Sequence, residues 1–266
     1  LTMRRLLAAA LTAFAVQALH AAPAGVYLQD LASTEVRDAL RAGTRMVIIP
    51  VGGTEQSGPH LTLGKHNRRV QVLAGRIAQE LGHTLVAPVV AYVPEGSIDP
   101  PSGHMRFPGT ISVPDDAFRG VIEGAARSLA RHGFTDIVLI GDHGDYQAQL
   151  KAVADRLNRE WKGGKARVHF IGAYYAAAQA PYERLLHDVG LSDAQIGLHA
   201  GAADTSLQLA LDPASVRSDK LPVNPADARA LGVTGDPRPA SAELGRLGAD
   251  LIVRQTVAAI RQAVAR

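Results

Sequence analysis

Short apolar, β-branched runs alternate along this chain with longer stretches whose apolar residues recur at helical spacing, and this alternation constrains the fold more than any other feature. Residues 46–51, 84–93, 137–140 and 168–171 read as strands. Between them, Val70, Leu73, Ala74, Ile77 and Leu81 mark a helix that stops at Gly82. Phe118, Val121, Ile122, Ala125 and Leu129 mark a second, opened by Ser112-Val113-Pro114-Asp115 and closed at Gly133. Leu150, Val153, Leu157 and Trp161 mark a third, and 241–265 reads as a closing helix with Leu244, Leu247 and Leu251 turned inward. Strands separated by helices form right-handed βαβ units, so the expected class is α/β with a parallel sheet covered on both faces. Two segments lack periodicity. Residues 95–110, with three Pro and three Gly, are too long for an ordinary connection and are expected to line a site, while 213–240 is expected to wander over the surface.

At 266 residues the chain suits one large domain. Its start has the order of a secretory signal peptide: Met3-Arg4-Arg5, an apolar stretch over 6–16, then Leu19-His20-Ala21-Ala22. The expected organisation is a leader over 1–21 and a single domain over 22–266, secreted or periplasmic. The apolar stretch is too short to span a bilayer and no later one is longer, so no membrane insertion is expected after leader cleavage. Formal net charge is +3, and removing Arg4 and Arg5 with the leader leaves +1. That balance does not provide a nucleic-acid surface. With no Cys, both thiolate nucleophiles and thiolate zinc sites are excluded.

Two polar clusters fall at strand ends. Gly52-Gly53-Thr54-Glu55-Gln56-Ser57-Gly58-Pro59-His60 follows the first strand, and Gly141-Asp142-His143-Gly144-Asp145 follows the third. Open α/β sheets bind ligands outside the carboxyl ends of their strands, so the two clusters point to one shared site. Glu, Asp and His are ligands for zinc or manganese, which suggests a metal-dependent hydrolase. The glycine-rich turn is not G-x-G-x-x-G, Gly64-Lys65-His66 lacks the hydroxyl residue of a P-loop, and Ser57 is not in G-x-S-x-G. Nucleotide binding and a serine nucleophile are therefore disfavoured. Taken singly, His60 and His132 read as structural, His132 because it ends a helix. His143 and Glu55 read as ligands, with capping of the following helix as the alternative for Glu55, Asp142 and Asp145. A third cluster, His199-Ala200-Gly201-Ala202-Ala203-Asp204-Thr205-Ser206, precedes a helical run; spacing leaves its role open.

Read together, four segments resemble the creatininase (creatinine amidohydrolase) family from about residue 46 to 211. The family's E-Q-H-G-P-H-L-P-L-G-T-D is matched by residues 55–66, H-x-x-F-P-G-T by 104–110, N-G-H-G-G-N or H-Y-E-N by 141–146, and H-A-G-x-x-E-T-S by 199–206. The resemblance implies a three-layer α/β/α sandwich with a mostly parallel central sheet, hydrolysis of linear or cyclic amides, a divalent metal, and homo-oligomers. At the family's two-metal positions this chain has Glu55, Ser57, His66, His143 and Asp145. Glu55, His66 and His143 would hold one zinc or manganese, with Asp145 as a further ligand or base, whereas Ser57 is a poor ligand and a neutral His66 cannot bridge two ions. One metal per chain is therefore expected.

By the same resemblance, His199 is the expected acid for the departing nitrogen, with Asp204 or Asp145 taking the proton from water. His104 is expected to wall the pocket, with Ser57 and Tyr146 as further substrate contacts. The expected substrate is a small amide or lactam. The alternatives are a non-catalytic periplasmic binding protein with a degenerate metal site, and a metal-dependent lactonase or esterase.

Overall fold

In the computed structural model, residues 25–222 and 224–265 are described. The expected leader over 1–21 lies outside them. Four strands, β1 (Met46–Val51), β2 (Thr84–Val86), β3 (Asp136–Gly141) and β4 (Arg167–Phe170), form one sheet in the order β2-β1-β3-β4. Every pairing is parallel, with Met46 opposite Thr84 and Asp136, and Asp136 opposite Arg167. The helices are α1 (Ser33–Arg41), α2 (Lys65–Leu81), α3 (Asp115–His132), α4 (Gln147–Glu160), α5 (Ala173–Ala177), α6 (Ala180–Asp188), α7 (Asp193–Ile196), α8 (Ala202–Leu211), α9 (Pro225–Ala230) and α10 (Ala242–Val264).

Alternation along the strands divides the core in two. Ile48, Val138 and Ile140 point to one face, where Leu73 and Ile77 of α2 meet Ile252 and Val257 of α10. Val47, Ile49, Ile137 and Leu139 point to the other, against Phe118 and Ile122 of α3 and Leu150, Val153 and Leu157 of α4. This is the expected α/β/α layering around a parallel sheet. Among the described residues, no helix is long and apolar enough to cross a membrane.

Three details differ from the expectations. The strand expected over 84–93 pairs as a strand only over Thr84–Val86, because Pro88 has no N–H to donate; Val90 rejoins through a single bridge to Val51. Val121 and Leu247 are 55% and 41% exposed, since the buried stripes of α3 and α10 run through Phe118, Ile122 and Ala126 and through Gly245, Ala249, Ile252 and Thr256. Residues 213–240 do more than cover the surface: Ala228 and Val233 bury against Leu61 and Ala200, and Thr234 pairs with His199. That segment thus closes one side of the strand-end crevice.

Candidate metal centre

Five segments converge at the carboxyl ends of the strands, where the topology leaves a crevice. The turn after β1 carries Glu55, and the loop after β3 carries Asp142, His143 and Asp145. The first turns of α2 carry Lys65, His66 and Arg69, the 95–110 loop carries Glu95 and His104, and the entry to α8 carries His199 and Asp204. Glycine at 53 makes room for this convergence, since a Cβ there would lie 2.5 Å from Glu95 Oε1 and displace that carboxylate.

Two groups of side chains place ligand atoms within 4.8 Å of one another: Glu55, His104 and His143, and Glu95, His143 and Asp145. Glu55 Oε2 lies 3.4 Å from His143 Nε2 and 3.5 Å from His104 Nε2, and Glu95 Oε2 lies 3.5 Å from His143 Nδ1. Glu55 Oε2 and both Glu95 oxygens are buried without a hydrogen bond. Buried carboxylate oxygens without donors are costly, and a divalent cation supplies what they lack. The donor set of carboxylates and imidazoles therefore fits zinc or manganese.

Charge in the crevice is sharply sorted. Burial raises Glu55, but Lys65, His66 and His143 outweigh it and hold the carboxyl well below its usual range. Burial, reinforced by the Glu55 and Asp145 carboxylates, pushes Glu95 up to about 9. Burial brings His143 down to about 4, against the pull of Glu55. Burial and then Lys65 bring His199 down to about 3, which leaves a neutral imidazole.

Beneath the crevice floor six side chains close a ring of alternating chemistry. Glu55 Oε1 meets His66 Nε2 at 2.7 Å, and His66 Nδ1 meets Asp142 Oδ2 at 2.6 Å. Arg69 donates to Asp142 Oδ2 and to Asp204 Oδ1, both at 2.7 Å. Lys65 Nζ donates to Asp204 Oδ2 at 3.0 Å and lies 3.5 Å from Glu55 Oε1, which completes the circuit. Buried cations are tolerated only when paired, and here Lys65 and Arg69, at 1% and 5% exposure, each face two carboxylates.

The expected site residues are distributed unevenly over this arrangement. Glu55 and His143 share a ligand group, and Asp145 joins His143 and Glu95 in the other. His66 stands in neither: both its nitrogens are engaged by Glu55 and Asp142. His104, expected as a pocket wall, points its Nε2 at Glu55, and its Nδ1 lies 2.7 Å from the Gln56 amide nitrogen. His199 stacks on His104 at 4.2 Å and donates from Nε2 to the Gln56 carbonyl. Asp204, expected as a proton acceptor, already accepts from Lys65, Arg69 and the Ala200 N–H; burial opposes its ionisation, but Lys65 and Arg69 hold it well below its usual range.

Ser57 and Tyr146 are both fully buried. The Tyr146 hydroxyl shares its one proton between the Val51 and Gly52 carbonyls and accepts from the N–H groups of Asp142 and His143, so it ties the two strand-end turns together and is not open to substrate. Asp142 is no helix cap but the buried partner of His66, Arg69 and Tyr174. His60 is structural as expected, with Nε2 against Ala200 O and Thr205. Sequence reasoning missed Glu95, Lys65 and Arg69. The last two left a signal: cations in the first turns of a helix oppose its dipole and so require carboxylates facing them.

A groove of about 1500 Å³ lies at the opposite pole between α1 and the C-terminal ends of α3 and α4. Neither candidate ligand group lies there, so the chemistry is assigned to the strand-end crevice.

Residues 29–260 match the family Creatininase, described as creatinine amidohydrolase. A creatinine amidohydrolase of Pseudomonas putida is 28% identical over 254 residues, covering 89% of this chain and 96% of that protein. A mycofactocin precursor peptide peptidase of Mycolicibacterium smegmatis is 28% identical over 241 residues, covering 82% and 86%. Among solved structures, "Creatininase Mn" superposes with a TM-score of 0.74 at 28% identity, over 90% of this chain and 98% of that one. A mutant creatininase of the Zn-Zn type gives the same TM-score and coverage at 27% identity. With its ligand groups at the sheet edge and a family match across nearly all of the described residues, the chain belongs to the creatininase family of hydrolytic enzymes.

Proposed function

We propose that this protein hydrolyses the C–N bond of a small linear or cyclic amide with one divalent ion, zinc or manganese, held by Glu55, His104 and His143. The observation that carries the reading is the buried, unbonded Glu55 Oε2 with two imidazole Nε2 atoms facing it at 3.4 and 3.5 Å. Solved creatininases of Mn and Zn-Zn type, and relatives that act on creatinine and on a precursor peptide, support metal-assisted amide chemistry. The expected ligand set of Glu55, His66 and His143 is thereby revised, with His104 in place of His66.

When bound, the ion lowers the pKa of its water and polarises the scissile carbonyl. The protein's own residues do the rest. The ring of buried charges fixes Glu55 with Oε1 occupied and Oε2 free. Ligation by His104 through Nε2 would put its proton on Nδ1, which lies 2.7 Å from the Gln56 amide nitrogen, so that amide would have to turn its oxygen to the ring; the stacked His199 walls the pocket. Burial and the neighbouring carboxylates keep Glu95 protonated; beside a bound cation it would give up that proton, and its carboxylate could then take the water's proton and return it to the departing nitrogen, with Asp145 beside it. His199 Nε2 is committed to the Gln56 carbonyl, so it positions substrate more readily than it delivers a proton. Export to the periplasm and assembly into homo-oligomers belong to the same proposal; they rest on the leader-like N-terminus and on the family.

Elemental analysis of protein purified without chelator tests this, with Glu55→Ala as control. About one zinc or manganese per chain, lost in the control, together with turnover of an amide in a substrate screen, is the expected result. Absence of metal even after incubation with either ion would overturn it in favour of a binding protein. Cleavage of lactones but not amides would move the substrate class while leaving the centre intact.

A further inference from the structure

Apolar walls and unpaired cations meet in the groove of about 1500 Å³ between α1 and the C-terminal ends of α3 and α4. It lies at the amino ends of the strands, where Arg45, Thr135 and Ala166 lead into β1, β3 and β4. Leu31, Val36, Leu40, Leu129 and Trp161 line it; each packs against the core yet stays partly exposed, beside the buried Phe134. The reason lies in α1. Of its nine residues only Ala39 is buried, so Val36 and Leu40 line the groove without closing it.

Seven Arg and Lys residues line the same groove against one acid, Glu160, which Arg127 and Arg156 already engage at 2.5 and 3.1 Å. Arg37 and Arg41 share Asp38, and Arg45 directs its guanidinium to the Leu40 and Thr44 carbonyls. Among the described residues, Arg131, Lys162 and Lys165 have no ion-pair partner. Helix C-termini attract cations, which accounts for Arg41 and Arg131 in the last turns of α1 and α3. That attraction does not account for Lys165, beyond the end of α4, nor for an apolar lining left open to water.

We propose that this groove binds a free anionic amphiphile, a single-chain carboxylate whose tail lies along Leu40, Leu129 and Trp161 and whose head meets Arg131, Lys162 and Lys165. Burying the tail removes apolar surface from water on both partners, and the cations give the head charge-assisted contacts that a neutral amphiphile cannot make. The groove exceeds the roughly 300–1,000 Å³ of most small-molecule pockets, so a tail of many carbons has room. The chain's own first 24 residues are no complement to it, since they carry Arg4 and Arg5 and no acid. Neither candidate ligand group lies at this pole, so the inference stands apart from the amide chemistry proposed above.

Trp161 is the chain's single tryptophan and reports directly on the groove it lines. Octanoate, decanoate and dodecanoate, each below its micellar concentration, are titrated into the full-length protein and followed by tryptophan fluorescence and by isothermal titration. The expected result is saturable one-to-one binding with a blue shift of the Trp161 emission, tightening by up to about fourfold per added methylene. Butyrate, a head with little tail, and decyl maltoside, a tail without charge, should bind at least about tenfold more weakly than decanoate. Lys162 and Lys165 are exposed, so Lys162→Glu combined with Lys165→Glu should leave Tm unchanged and weaken decanoate binding about tenfold. Arg131→Gln carries this comparison if the double variant does not fold, with weaker binding again expected. Binding heat without an emission shift would place the ligand elsewhere and overturn the inference. No saturable binding, equal affinity for the maltoside, or folded variants that bind like wild type would overturn it too. Binding to phosphatidylglycerol vesicles without binding of the monomeric carboxylates would reject it in favour of a membrane surface.

Discussion

Glu95 Oε2 lies 3.5 Å from His143 Nδ1, so the aperiodic loop after β2 delivers a carboxylate to the far edge of the imidazole whose Nε2 faces Glu55. The contact joins the two candidate ligand groups through one ring. It also separates two duties that sequence alone would give to any acid in the crevice: Glu55 is braced by a ring of charges, while Glu95 has no hydrogen-bond partner at either oxygen.

If Glu95 moves the proton and does not hold the ion, Glu95→Gln should lower kcat by about 10²- to 10⁴-fold, the usual size of a general acid–base contribution. Metal content should stay at the wild-type value, because Glu55, His104 and His143 are untouched. Steady-state kinetics beside elemental analysis separates the two duties. Loss of the ion in this variant would make Glu95 a ligand.

The ligand assignment is tested by comparing two histidines. His104→Ala should abolish stoichiometric metal binding. His66→Gln should retain the ion with affinity weakened by about 10- to 100-fold, as for residues that orient a ligand from behind. Isothermal titration with Mn²⁺ on both variants reads the difference. The opposite ranking would restore His66 to the ligand set.

The layering, the four strands and the placement of Glu55 and His143 were legible because they depend on local pattern. Apolar runs of strand length fix the sheet, and polar residues immediately past a buried strand have only the crevice to occupy. Glu95 and the duty of His104 were not legible, because an aperiodic loop carries no phase from which to infer where a side chain points. Tyr146 was misread for a related reason: it directly follows the third strand's polar turn, but its ring packs under that turn against Phe118, and its hydroxyl serves backbone groups. His66 matched a ligand position in the family pattern. Which partners its nitrogens take depends on Asp142 and Glu55, brought to it from two different strand ends.

His60 provides a pH test away from the ligand groups. Burial, only partly offset by the bond to the Ala200 carbonyl, brings its pKa from an ordinary 6.5 down to about 4. The folded protein then binds fewer protons than the unfolded chain between those values, so stability falls as pH drops from 6.5 toward 4 and levels off below. The full difference is at most about 3.4 kcal/mol at 1.36 kcal/mol per unit. His60→Gln keeps a nitrogen donor for Ala200 and removes the titration. Urea unfolding across this range should give a wild-type curve that drops relative to the variant on the acid side, and parallel curves would refute the assignment.

The crossing of α10 over α8 sets how firmly Asp204 is held, and glycine makes that crossing possible. A Cβ at Gly245 would overlap the Ser206 carbonyl and press on Ala210, both on α8, the helix whose first turn carries Asp204. The Ser206 hydroxyl also receives the Ser241 N–H at the start of α10, so the two helices cannot separate at this end without losing that bond. Gly245→Ala would gain helix propensity worth about 1 kcal/mol. Overpacking of a close crossing costs about 1–3 kcal/mol and should outweigh it. The expected outcome is a lowered Tm together with weaker Mn²⁺ binding, since a displaced α8 draws Asp204 away from Lys65 and Arg69 and loosens the contact of Lys65 with Glu55. Gly120, which lies on α3 with open space around its Cβ position, serves as the control: Gly120→Ala should raise Tm slightly and leave metal affinity unchanged. Equal responses of the two variants would show that the α8–α10 crossing is not coupled to the centre.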